Sequence, residues 1–104
     1  MSITITIHLK EESGKILERL IIDESTIEKI ILKANKLNLK CFSFIDLYSD
    51  TIFNNLQIKE MMKECPVLKK EFKEKNILVN LDKIKKLLEK GSRLLHSHII
   101  FVGN

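Results

Sequence analysis

Tryptophan is absent from this 104-residue chain, and tyrosine and proline occur once each, glycine three times, and cysteine and arginine twice each. Each shortage excludes something. Cys41 and Cys65 stand singly within apolar periodic segments, so there is neither a CxxC pair nor the framework of a disulfide-stapled domain, and buried reduced thiols are expected. With glycine so scarce there is no phosphate-cradling loop. G-x-S-x-G and H-E-x-x-H are missing as well, so no known catalytic or cofactor motif is present. No repeat, low-complexity tract or interdomain linker is visible. No run approaches the roughly 20 apolar residues that a spanning helix needs. The alternating Ile3, Ile5, Ile7 has no basic lead and no small-residue cleavage site, so a soluble, unprocessed cytoplasmic protein is expected.

The chain is rich in aliphatic side chains, with sixteen isoleucines, and in lysine, with sixteen against the two arginines. Its length suits one compact domain spanning residues 1–104. The formal charge of +4 is unevenly placed: residues 59–90 carry ten lysines against six acids, while the remainder balances eight against eight. Lysine-rich helix surfaces without arginine forks or interleaved aromatics are weak nucleic-acid signals. A basic regulatory domain using Lys69, Lys70, Lys73, Lys83, Lys85 and Lys86 is therefore the alternative reading, and its affinity would fall steeply with salt.

Residues 2–9, SITITIHL, alternate strictly, with Ile3, Ile5, Ile7 and Leu9 on one face and Ser2, Thr4, Thr6 and His8 on a wet face. A glycine-containing turn and ILERLII follow, so residues 2–22 read as an antiparallel hairpin. Ser25 and Glu28 have the spacing of a capping box. Ile27, Ile30, Ile31, Ala34 and Leu37 then form a helical stripe ending near Asn38. Residues 40–47, KCFSFIDL, are apolar on both alternations, the pattern of a strand covered on both faces. Helical spacing runs from Ile58 to Phe72 across Pro66, which should break the helix into two pieces sharing a buried face. Asn80 can cap a third helix carrying Leu81, Ile84, Leu87 and Leu88, with Gly91 placed to end it. HSHIIFV closes as an apolar strand suited to the sheet interior.

The order β-β-α-β-α-α-β predicts a two-layer α+β domain, a four-stranded, mainly antiparallel sheet with helices on one face. The hairpin edge and the terminal strand could each support a homodimer.

The densest polar cluster is DLYSDTIFNNLQ, residues 46–57. Asn54 and Gln57 have capping-box spacing, Tyr48 to Asp50 form a turn, and Ile52 and Phe53 should pin the loop to the core. Two carboxylates beside a phenol exceed what a turn requires. Asp46, Tyr48 and Asp50, with Asn54 and Asn55 beside them, are the candidate partner-binding residues, because loops on rigid scaffolds gather binding groups. His96 and His98 lie two apart and would share a face if the strand already runs there. With Asp46 or Asp50 they could be assembled into a metal or acid–base scheme, but the tight ligand spacing of zinc sites is missing, so no metal and no catalytic residue is assigned.

IDLYSDTIFNNLQ followed by an amphipathic helix, with HIIFVGN closing the chain, resembles small bacterial immunity proteins that partner polymorphic or contact-dependent growth inhibition toxins. The specific parts are the D-x-Y-x-D-T-x-F-N-x-x-Q stretch and the terminal strand. That strand more often ends in Gly-Asp, from which Asn104 departs. The resemblance implies a non-enzymatic cytoplasmic inhibitor, without cofactor or membrane association, that binds a cognate toxin domain and occludes its active site. Tyr48 would anchor the contact, and Asp46 and Asp50 would pair with basic groups on a toxin such as a nuclease.

Overall fold

The hairpin forms because alternation gives β1 (Thr4–Glu11) one apolar face and Gly14, at φ 95°, allows the chain to reverse into β2 (Ile16–Asp23). A computed structural model describes residues 3–104; Ser2, expected on the wet face, lies outside the described residues. Ile5, Ile7 and Leu9 are buried, while Thr4 is exposed and Thr6 and His8 are half-buried. The remaining elements are α1 (Glu24–Lys36), a 3-10 turn (Phe42–Phe44), β3 (Thr51–Phe53), α2 (Asn55–Lys69), α3 (Lys75–Ser92) and β4 (Ser97–Val102). The four strands make one antiparallel sheet in the order β2-β1-β4-β3. Both the two-layer α+β class and the internal place of the last strand follow the sequence reading. Because β4 is paired on both sides, it cannot offer a dimer edge.

Ile27, Ile30, Met61, Cys65, Leu81, Ile84 and Leu88 from the helices meet the inner sheet residues Ile5, Ile7, Leu9, Ile99 and Phe101 in one core. At about 25 cal/mol per Å² of apolar surface, this burial is the main force setting the layer arrangement. The Phe53 and Phe101 rings pack edge to face with centroids 5.8 Å apart, fixing the short β3 against β4.

Several local expectations fail. The first helix does not use the Ser25–Glu28 box. It starts at Glu24 directly after Asp23, whose side chain makes no cap bond, and the Glu24 amide extends the β1–β2 ladder by donating to the Ile3 carbonyl at 2.9 Å, so the turn from strand to helix comes before Ser25. Residues 40–47 are not a strand: the chain coils into the 3-10 turn, and the strand pairing with β4 comes later, at Thr51–Phe53. Apolar residues on both alternations reflect a turn that buries Cys41, Phe42 and Ile45. Pro66 does not break α2, which continues to Lys69; the interruption falls at residues 70–74. Asn80 is no cap, since α3 begins at Lys75 and the Asn80 side chain donates back to the Asn76 carbonyl at 2.9 Å. Gly91 lies inside α3. An added Cβ would sit 3.1 Å from Leu9 Cδ1, so α3 lies close to the sheet there and a side chain at 91 would require Leu9 to give way. Phe53 is buried as expected, but Ile52 is exposed.

Candidate protein-binding surface

The loop between the 3-10 turn and β3 is built from its own polar side chains. Asp46 makes an Asx-type turn: its Oδ1 accepts the Tyr48 amide at 2.8 Å, and its Oδ2 accepts the Ser49 hydroxyl at 2.9 Å. Its own amide donates to Thr51 Oγ1 at 3.0 Å. The Tyr48 amide first, and the Ser49 hydroxyl second, hold the Asp46 carboxyl below its ordinary value. Asp50 Oδ1 accepts the Gly103 amide at 3.0 Å, and the Asn104 amide donates to the Leu47 carbonyl at 2.8 Å. A Cβ at position 103 would overlap the Ser49 backbone. The two stretches singled out in the sequence, residues 46–57 and the end of β4, therefore fold onto one another as a unit.

Asn54 and Gln57 form the expected capping box on α2, both bonds at 2.9 Å. Asn55 reaches across to the carbonyls of Gly91 and Leu94, each at 3.3 Å, and so ties α2 to the end of α3. Among the described residues, Tyr48 is the one of the five candidate contact residues without a structural side-chain bond. It is 80% exposed on a loop its neighbours hold rigid.

A residue the sequence reading passed over sets the rest of this surface. Glu64 on α2 is buried, and its carboxylate accepts the Cys41 amide through Oε2 and the Phe42 amide through Oε1, both at 3.0 Å. A carboxylate on two free amides at the start of a helical turn is a favourable charge–dipole arrangement. It holds the 3-10 turn in place and projects Phe44 outward, 72% exposed. Its signal in the sequence was its position: Glu64 stands at helical spacing from Met61 and Leu68, on the buried stripe.

Phe44 walls two adjoining grooves. One, of about 400 Å³, runs between α1 and the loop and includes Leu32, Leu47 and Tyr48, with Glu28 and Asp46 at its margin. The other, of about 300 Å³, includes Leu56, Gln57 and Glu60. Leu32, Phe44, Tyr48 and Leu56 are all large, apolar and exposed. An apolar ridge with charged margins, Glu28, Asp46 and Glu60 together with Lys40, has the anatomy of a protein-binding patch, apolar at its centre and polar at its rim.

The other candidate groups are placed apart. Strand β4 begins at Ser97, so His96, at φ 65°, precedes it and turns its Nδ1 to Glu12 Oε2 at 3.5 Å, while His98 lies within the strand. Among the described residues no three His, Cys, Asp or Glu side chains converge as a metal site. Both cysteines are buried free thiols. Burial chiefly pushes the Cys41 thiol up to about 11 and that of Cys65 up to about 12, which opposes thiolate chemistry near neutral pH. His8 accepts from Arg19 Nε at 3.2 Å, and burial, then Arg19 and Lys10, hold its pKa below the ordinary value. Of the lysines, Lys69 pairs with Asp82 at 2.6 Å and Lys90 with Glu18 at 3.1 Å. No helix among the described residues is long and apolar enough to cross a membrane.

No protein-family model, curated protein or solved structure matches this chain.

Proposed function

We infer that the chain is a non-enzymatic binding protein that docks a partner protein on the Phe44–Tyr48 surface, and that the partner is a bacterial toxin domain which it neutralises by occlusion. One observation carries the binding role: Phe44 and Tyr48 are exposed on a turn and loop fixed by Glu64, Asp46 and Asp50, with Leu32 of α1 and Leu56 of α2 exposed in the grooves beside them. Exposed aromatics on a pre-ordered backbone lose little entropy on docking, which is the property of an interface anchor. A stable interface buries about 800 Å² per partner, and these two grooves with their rims offer a centre for such a contact. The toxin identity of the partner rests on the resemblance of residues 45–57 and 98–104 to immunity proteins. Cytoplasmic location belongs to the same reading.

The acidic groups have a different use from the one their composition suggests. Asp46 and Asp50 hold the loop through bonds to Tyr48, Ser49 and Gly103, so reversing their charge would disturb the surface as well as its electrostatics. Phe44→Glu and Tyr48→Ala are the cleaner tests, because neither side chain is buried. In titration calorimetry against the protein domain that the neighbouring gene encodes, the wild-type chain should bind and the double variant should lose at least tenfold in affinity, the effect of about 1.4 kcal/mol. Equal affinity of the two proteins would remove this surface from the function.

A further inference from the structure

The sheet has two edges that differ in kind. Strand β3 has only three residues and leads at once into α2, which is how natural edges are blunted. Strand β2 has eight residues, ILERLIID, with neither proline nor lysine, and its one irregularity, opposite Leu9/Lys10, lies near its start. From Glu18 to Asp23 it is, among the described residues, a regular free edge.

The hydrogen-bond phase of that edge can be read directly. Glu24 donates to the Ile3 carbonyl at 2.9 Å, which marks Ile3 and Glu24 as a bonded pair one step beyond the Thr4↔Asp23 partners. Bonded and non-bonded pairs alternate in an antiparallel ladder. Ile22, Leu20 and Glu18 therefore turn their backbone groups toward β1, and Asp23, Ile21 and Arg19 turn theirs away from the sheet. Strand β1 agrees, since the complementary residues Thr6 and His8 are left to bond with Val102 and Ile100 of β4.

We propose that β2 pairs antiparallel with β2 of a second copy of this chain, Ile21 opposite Ile21 and Arg19 opposite Asp23, making a continuous eight-stranded sheet. A two-fold axis perpendicular to the sheet needs a self-complementary register. Centring on Arg19 sets two guanidinium groups against each other, and centring on Glu18 does the same with two carboxylates. Centring on Ile21 matches outward backbone groups with outward backbone groups, places each Arg19 beside an Asp23 on the solvent face, and sets Leu20 beside Ile22 on the inner face. Opposite charges and β-branched residues directly across a ladder are its stabilising pairs. The pairing also covers Ile21, which is 58% exposed, and Asp23 is free to take part because it makes no cap bond to α1. Since β2 and β3 are opposite edges of the sheet, the dimer leaves both Phe44–Tyr48 surfaces open.

The test is sedimentation velocity of the purified full chain across a concentration series, with circular dichroism checking each variant's fold. The wild-type chain should approach twice its 12.1 kDa mass as concentration rises. Ile21→Lys should remain monomeric, and Ile52→Lys, on the opposite edge strand, should still dimerise. Arg19→Asp and Asp23→Arg, each of which sets like charges opposite, should both weaken the dimer, and the double swap should restore it. A wild-type chain that stays monomeric throughout would overturn the proposal. So would a dimer indifferent to Ile21→Lys, or a double swap no better than the single changes.

Discussion

The amide of Gly103 donates to the carboxylate of Asp50 across 3.0 Å, joining the end of β4 to the loop that carries Tyr48. Residues more than fifty positions apart thus hold one surface. Asp50→Ala should lower stability by about 1 kcal/mol, a modest loss because the bond is exposed to water. Gly103→Ala should lower it by about 1 to 3 kcal/mol, since its Cβ has no room beside the Ser49 backbone. Thermal unfolding followed by circular dichroism measures both, and a larger loss for Asp50→Ala than for Gly103→Ala would contradict this ordering.

Glu64 should be among the most sensitive polar positions. Glu64→Ala leaves the Cys41 and Phe42 amides buried without an acceptor and should cost about 3 kcal/mol in urea unfolding. Glu64→Gln keeps one acceptor oxygen and should cost about 1 kcal/mol. The Gln variant should also leave more of the Phe44 surface intact, readable as slower amide exchange in residues 41–44 than in the Ala variant.

The capping box gives a smaller effect. Asn54→Ala removes the acceptor for the Gln57 amide and should cost about 1 kcal/mol by urea unfolding. An unchanged midpoint would mean that water replaces the cap without loss.

Stability should fall at both ends of the pH scale. The Asp46 carboxyl is lowered in the folded chain, so its contribution is complete above the ordinary value of 3.8 and is lost as pH falls through the folded value. The thiols are raised, so their contribution is complete below 9.0 and is lost as pH rises toward about 11 for Cys41 and about 12 for Cys65. Iodoacetamide near neutral pH should label neither thiol quickly in the native protein and both in urea. Rapid native labelling of Cys65 would contradict its burial.

Much of the architecture was legible because it rests on periodicity. Strict alternation identified the β1–β2 hairpin, and the apolar HSHIIFV run identified an internal strand, since both patterns report directly on which faces are covered. What failed was local inference overridden from a distance. KCFSFIDL has the composition of a buried strand, and what coils it is the Glu64 carboxylate more than twenty residues away. The Ser25–Glu28 box was sound chemistry at the wrong site, because the helix follows directly on β2 and starts at Glu24, which places Ser25 inside it. In the candidate site, Tyr48 stands exposed on its loop. Asp46, Asp50 and Asn55 have structural bonds that only the fold reveals, whereas the Asn54 cap bond follows from its spacing with Gln57. Phe44 read as core and is a surface ridge, since a residue's side is undefined until strand and turn are told apart.

The most direct measurement is protection of cells expressing the protein domain that the neighbouring gene encodes, which is the toxin under the proposed function. The wild-type chain should restore growth, and a Phe44→Glu, Tyr48→Ala chain, folded and equally abundant, should not. Full protection by that double variant would contradict a function that resides in this surface.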